Sequence, residues 1–304
     1  MHIRYRAGRV VNLLETMHSI EPATATLLLS CRDQKGLVAA VASFIFDHGG
    51  NIIHADQHTD QQESYFLQRV EWQLDGFGLQ REDIAAAFRP IADRFDMTWR
   101  LSFSDGRPRI AILVSKQAHC LYDLLARSRM GELRAEIPLI ASNHPDLESI
   151  ATEFGVDYHY LPVTSETKAR QEASLLTLLD RESIEVVVLA RYMQILSPAF
   201  VASYADRIIN IHHSFLPAFA GAKPYHQAHE RGVKIIGATA HYVTGELDSG
   251  PIIEQDVTRV SHRDTVADLA RKGRDLETIV LARAVHRHLE NRIVVYGNKT
   301  VVFD

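Results

Sequence analysis

The chain has 304 residues, with 33 Lys+Arg against 38 Asp+Glu and a formal net charge of -5. That is the opposite of the basic footprint of a nucleic-acid binder. A hydrophobic share of 46% and a charged share of 23% exclude disorder, collagen and coiled coil. The two cysteines, Cys31 and Cys120, lie far apart with no C-x-x-C spacing, which excludes a disulfide scaffold and a zinc ribbon and fits a reducing cytosol.

Residues 1–22 read as a leader. Arg4, Arg6 and Arg9 precede Val10, Val11, Leu13 and Leu14, but Asn12 breaks that stretch and Glu15 closes it. It is too short for the apolar core of a signal peptide, and a disordered tail is expected. The apolar runs further on fall well below the roughly 18 residues of a membrane-spanning helix, so no membrane partner and a cytoplasmic location are expected.

Thr24 to Cys31 reads as a buried strand, followed by Asp33 as a candidate helix cap. Leu37, Val38, Val41, Phe44 and Ile45 recur at helical spacing, and Gly49-Gly50 stops that helix. Asn51 to His58 and Tyr65 to Leu74 are the next strands, with Phe66, Val70, Trp72 and Leu74 on one face. Ile84, Phe88, Ile91 and Phe95 mark a second helix, and Met97 to Phe103 a closing strand. The order βαββαβ over residues 23–104 predicts a ferredoxin-like antiparallel sheet with both helices on one face. Exposed edges of such sheets often pair, so a homo-oligomer, dimer or tetramer, is expected.

Ser104 to Pro108 is polar and turn-forming and marks the boundary to a second domain over 109–304. Ile110–Val114, Ile137–Ala141, Val186–Ala190 and Ile208–Ile211 are apolar throughout, the mark of parallel strands covered on both faces. Helices are expected over Ala118–Arg129, Leu147–Phe154 and Thr167–Leu179, the last with Ala173, Leu176 and Leu179 on one face. This is a doubly wound α/β arrangement with a mostly parallel sheet. Ile235–Val243 and Pro251–Val257 read as an antiparallel pair, and Asp264–Leu289 as one long helix.

Ligands of open α/β sheets bind beyond the carboxyl ends of the strands, and the densest chemistry there runs from Asn210 to His229. Asn210 and His212 are two apart at a strand end, so an amide and an imidazole would converge on one carbonyl oxygen. Asp248, in the turn Leu247-Asp248-Ser249-Gly250-Pro251, could face the same cleft or serve only as a turn former. His213 is expected to face away from His212. His226-x-x-His229 would share a helix face, but no H-E-x-x-H spacing accompanies it, and no metal is expected.

Asn210-Ile211-His212-His213-Ser214-Phe215-Leu216-Pro217, His241-Tyr242-Val243 and Leu247-Asp248-Ser249-Gly250-Pro251-Ile252-Ile253 resemble the folate-dependent formyltransferase superfamily. Within it, Ser115-Lys116-Gln117-Ala118-His119-Cys120-Leu121 and His212 to Phe219 resemble the formyltetrahydrofolate deformylase family. Asp33-Gln34-Lys35-Gly36-Leu37-Val38 resembles the ACT domain that precedes its catalytic domain.

The resemblance implies hydrolysis of 10-formyltetrahydrofolate to formate and tetrahydrofolate, supplying formate for purine synthesis and balancing the one-carbon pool. It carries the catalytic trio onto Asn210, His212 and Asp248, with Asn210 and His212 on the oxyanion and Asp248 on protons, its carboxyl raised by burial. It implies a folate pocket walled by Arg191, Tyr192, Met193, Gln194, Ile195, Leu196 and Leu247, with folate as the substrate and no separate cofactor. Some relatives carry a basic residue where Gln194 stands. His226 would help order the catalytic loop. Glycinamide-ribonucleotide formyltransferases place a glycine-rich phosphate loop after the first strand of this domain. Ser115 to Cys120 has no glycine, which favours water over a phosphorylated amine as acceptor. For the ACT part, an amino-acid effector such as glycine or methionine would use Asp33, Gly36, Leu37 and Asn51. An amine-accepting formyltransferase and a non-catalytic amino-acid sensor are the competing readings.

Overall fold

The computed structural model describes residues 22–217 and 224–304. Apart from Pro22, the expected leader lies outside the described residues, as does the stretch 218–223 of the long motif.

The first part runs β1 (Thr24–Arg32), α1 (Leu37–Asp47), β2 (Ile52–Asp60), β3 (Tyr65–Gln73), α2 (Arg81–Arg94) and β4 (Thr98–Phe103). Its strands form an antiparallel sheet in the order β2-β3-β1-β4. Val41, Phe44 and Ile45 of α1 and Ile84 and Phe88 of α2 pack on Leu27, Leu29, Val70 and Trp72 of the sheet. Asp33 does not cap α1. The helix starts after Gly36, at φ +94° and with no side-chain cap, and the Asp33 amide donates instead to the Ser64 carbonyl. Val38, although at helical spacing, is exposed.

The second part runs β5 (Arg109–Val114), α3 (His119–Met130), β6 (Glu136–Ser142), α4 (Glu148–Phe154), β7 (Asp157–Tyr160), α5 (Lys168–Arg181), β8 (Val186–Leu189), α6 (Pro198–Ser203), β9 (Ile208–His212), α7 (Pro224–Arg231), β10 (Ile235–Tyr242), β11 (Ile252–Arg259) and α8 (Val266–Leu289). The sheet order is β11-β10-β9-β8-β5-β6-β7, parallel from β9 to β7 and antiparallel at β10 and β11. From β5 the chain winds to β6 and β7 on one side, then returns to β8 and β9 on the other. The reversal opens a crevice at the carboxyl ends of β5 and β8, where such folds bind ligands.

A separate core covers each sheet face. The buried stripe of α5 is Gln171, Glu172, Leu175, Leu178 and Leu179, not the expected Ala173, Leu176 and Leu179, and Ala173 is exposed. Helix α8 opens with a capping box between Thr265 and Asp268, which satisfies the first free amides.

The chain ends in a hairpin, β12 (Ile293–Tyr296) and β13 (Lys299–Val302). Val294 and Phe303 pack on Leu28 and Leu67, covering the face of the first sheet that α1 and α2 leave open. Strands β1 and β3 are therefore buried on both faces while β2 stays largely exposed, and the C-terminus closes back onto the first part. No helix among the described residues is long and apolar enough to cross a membrane.

Candidate active site

Strand β9 delivers Asn210 and His212 to the carboxyl edge of the sheet, and β10 runs antiparallel beside it with His241 directly opposite Asn210. Asn210 Nδ2 lies 3.2 Å from His241 Nε2, and His241 Nδ1 lies 2.9 Å from the Tyr242 carbonyl. A carbonyl only accepts, so Nδ1 carries the proton and Nε2 accepts from the Asn210 amide. Burial pushes the His241 pKa down, which keeps this neutral tautomer. The amide orientation of Asn210 is thereby fixed.

Asp248 arrives from the β10–β11 connection. Its backbone is left-handed, at φ +54°, and the turn docks tightly because Gly250 follows. A Cβ on Gly250 would lie 1.8 Å from the Tyr242 carbonyl oxygen, so only glycine permits this approach. The result places Asp248 Oδ1 3.3 Å from His212 Nδ1 and 3.9 Å from His241 Nε2. His212 Nε2 is buried and has no hydrogen-bond partner among the described residues. Asp248 does not show the raised pKa expected from burial. The hydrogen bond from His212 holds it below the ordinary carboxylate value, against a smaller opposing effect of desolvation.

His213 does not face away from His212; the two rings lie 5.1 Å apart. β9 ends at His212, so the alternation that would separate the two side chains no longer applies. His213 also meets the Tyr225 ring at 6.0 Å, and burial, reinforced by the nearby Arg191 charge, pushes its pKa down to about 4. His226 and His229 both lie on α7, and both are exposed.

The expected folate wall, 190–197, is a loop between β8 and α6 whose polar grip comes from below. The Met193 amide donates to Ser115 Oγ, the Ser197 amide to Glu172 Oε1, and Gln171 Nε2 to the Tyr192 hydroxyl. Tyr192 and Leu196 belong to the core of that sheet face, so their side chains are not free for a ligand. Met193 at 58% exposed, Ile195 at 60% and, across the cleft, Leu247 at 61% are the unclaimed apolar groups; Gln194 is half-buried.

Arg191, left-handed at φ +65°, turns inward to Glu277 of α8 at 3.4 Å. Glu277 is 1% exposed, and sequence reasoning missed it. It also takes His119 Nε2 at 2.8 Å and the Tyr225 hydroxyl at 2.8 Å. One buried carboxylate therefore joins the start of α3, the 190–197 loop and α7. The notch that admits Tyr225 is Gly273, where a Cβ would sit 2.0 Å from the phenolic oxygen. The signal available in sequence was an acidic residue four positions after a glycine, inside an otherwise buried helical stripe.

His119, Cys120 and Glu277 bring potential metal ligands within 4.8 Å of one another. Burial and the Glu277 charge push the Cys120 thiol far up, so it stays protonated, while Glu277 already faces a guanidinium and a phenol. That donor set fits an ion-pair cluster and not a metal centre.

The candidate effector residues separate. Asp33, Gly36 and Asn51 are exposed, with Asn51 Nδ2 donating to Gln73 Oε1 at 3.3 Å. The Leu37 side chain points into the core, so a ligand there would meet only its backbone.

Two family models match, an ACT domain over residues 25–93 and a formyl transferase domain over 108–285. A formyltetrahydrofolate deformylase of Synechocystis sp. is 64% identical over 280 residues, covering 92% of this chain and 98% of that protein. One from Bacillus subtilis is 49% identical over 279 residues, covering 91% and 93%. The crystal structure of a formyltetrahydrofolate deformylase from Pseudomonas syringae pv. tomato superposes with a TM-score of 0.92 at 47% identity, covering 96% of this chain and 98% of that one.

Proposed function

The chain belongs to the formyltetrahydrofolate deformylase family, and we propose that it hydrolyses 10-formyltetrahydrofolate to formate and tetrahydrofolate with Asn210, His212 and Asp248 as the reacting side chains. The observation that carries these roles is the His212 ring: Nδ1 held by Asp248 at 3.3 Å, Nε2 buried and without a partner among the described residues.

A water oxygen bonds to the formyl carbon, and the carbonyl electron pair moves onto the formyl oxygen. His212, protonated on both nitrogens beside an ionised Asp248, donates from Nε2 to that oxygen; the second Nδ2–H of Asn210 donates alongside. Both donors gain strength as negative charge develops, so they favour the transition state over the ground state. Asp248, kept ionised by His212, takes the proton of the attacking water. The oxyanion pair re-forms the carbonyl as the C–N10 bond breaks, N10 leaves with that proton, and the formic acid that carries the water oxygen releases the water's other proton to solvent and departs as formate. Atoms and charge balance without any group beyond the substrate and water, so no cofactor is assigned.

Met193, Gln194, Ile195 and Leu247 would supply the folate contacts, with Arg191, Tyr192 and Leu196 shaping the loop through their inward side chains. We assign residues 109–304 to catalysis and 23–104 to regulation and self-association, the latter taking an amino acid such as glycine or methionine through Asp33, Gly36, the Leu37 backbone and Asn51. A cytoplasmic homo-oligomer that supplies formate for purine synthesis fits this assignment.

An amine acceptor is disfavoured by one contact. His119, at the position of the phosphate loop in the amine-accepting relatives, is hydrogen-bonded to Glu277 at 2.8 Å. The test is formate release with no acceptor present, then with an amine acceptor added. Full release without acceptor supports hydrolysis, whereas release that depends on the amine overturns it.

A further inference from the structure

A cleft of about 820 Å³ lies between the first and second parts of the chain. On one side are β4 and the connection to β5; on the other are the residues leading into β8 and β9 and the end of α8. Pro108, Glu185 and Arg207 line it just before β5, β8 and β9. It therefore opens at the amino edge of the parallel strands, the opposite end of the sheet from Asn210 and His212.

The charge of its wall does not close. Three of the four lining carboxylates are ion-paired, Glu71 with Arg69 at 2.8 Å, Glu290 with Arg292 at 2.7 Å and Glu132 with Arg127 at 2.7 Å, while Glu185 accepts from the Arg109 backbone amide at 3.0 Å and keeps its charge. Arg100 of β4, Arg107 of the connection and Arg207 also line the cleft. Among the described residues none of these three has a carboxylate within ion-pair distance; Arg207 donates only to the Ser203 carbonyl, at 2.8 Å.

His288, buried at the end of α8, lines the same cleft. Its burial, with the Arg100 and Arg207 charges, pushes its pKa down to about 3. The neutral ring shares a hydrogen bond with the Tyr242 hydroxyl, which lies 2.7 Å from Nδ1.

We propose that this cleft binds a small multiply charged oxyanion, a phosphorylated or polycarboxylate molecule, through Arg100, Arg107 and Arg207 of both parts of the chain. Guanidinium is charged at every physiological pH and matches the geometry of phosphate and carboxylate oxygens. Three such groups facing one concavity without counter-charge focus a positive potential that a polyanion relieves. The occupant would bridge β4 and the β9 approach, tying the two parts together.

The test is isothermal titration of the full chain with pyrophosphate and, separately, with citrate, at constant ionic strength. Wild type, R100Q/R207Q and the control R89Q, on the exposed side of α2, are compared after circular dichroism confirms that each is folded. Saturable binding of either probe, weakened at least about tenfold in R100Q/R207Q and unchanged in R89Q, is expected. Pyrophosphate alone would assign a phosphorylated ligand, and citrate alone a polycarboxylate. No saturable binding of either probe to wild type at millimolar concentration, or equal binding to R100Q/R207Q, would overturn the proposal.

Discussion

Asn298, at the tip of the C-terminal hairpin, donates through Nδ2 to the Ser249 carbonyl at 2.9 Å, one residue from Asp248. The Thr300 hydroxyl contacts the Ile252 carbonyl beyond the same turn. At its other end the hairpin grips the first sheet, where the Tyr296 hydroxyl donates to Asp60 at 3.1 Å and stacks on Tyr65. A single hairpin thus touches both the first sheet and the turn that carries the proposed base.

Asn298→Ala removes the hydrogen bond and leaves the hairpin core in place. The Asp248 turn, already left-handed, loses an external restraint, and kcat is expected to fall about fivefold, the worth of roughly 1 kcal/mol. Steady-state kinetics that show an unchanged kcat would mean that Gly250 and the sheet alone hold the turn.

Glu277→Gln keeps a polar group of the same shape but strips the charge facing Arg191 and His119. A buried guanidinium without its counter-charge is expected to cost on the order of 3 kcal/mol, read as a lower urea midpoint. The folate-wall loop loosens with it, so KM for the folate should rise more than kcat falls. A variant with wild-type KM would detach the loop from this cluster.

Gly273→Ala tests the notch. Alanine gains about 1 kcal/mol of helix propensity, but its Cβ would meet Tyr225 at 2.0 Å and displace it from Glu277, for a net loss of about 1–3 kcal/mol. In a Tyr225→Ala background the same change should be neutral or stabilising, so the double-mutant cycle isolates the clash. Equal costs in both backgrounds would refute it.

Stability should fall on mild acidification. His213 and His288 are held at about 4 and about 3, below the unfolded value of about 6.5. The unfolded chain therefore binds more protons between those limits. Their contribution is complete above the unfolded value and is lost as pH falls toward the folded ones. Each should cost about 1 kcal/mol between pH 6.5 and about 5.5. Urea titrations at the two values, with His288→Asn removing one share, check this; a pH-independent midpoint would contradict it. Asp248, with its depressed pKa, contributes no acid limb to either stability or activity in this range.

Long, unbroken signals in the sequence give the fold. The apolar runs Ile110–Val114 and Val186–Leu189 read as buried parallel strands because nothing polar interrupts them, and the βαββαβ order follows from alternating periods. The short strand Asp157–Tyr160 escaped because its four residues carry no apolar run. The terminal hairpin escaped because its partners, Leu67 and Leu28, are some 230 to 275 residues away in sequence. Asn210, His212 and Asp248 were legible as a motif, but the 3.3 Å contact and the Asp248 turn depend on Gly250 meeting β10. Glu277 was illegible for a simpler reason. A glutamate on a long helix reads as solvated until residues from three distant segments converge on it.

The central claim is that the His212–Asp248 pair drives hydrolysis with water as acceptor. Formate release from 10-formyltetrahydrofolate, with chelator present and no amine acceptor, measures it directly in wild type and in Asp248→Ala. Metal-independent release by wild type and a loss on the order of a thousandfold in the folded variant are expected. Undiminished release by Asp248→Ala would contradict it.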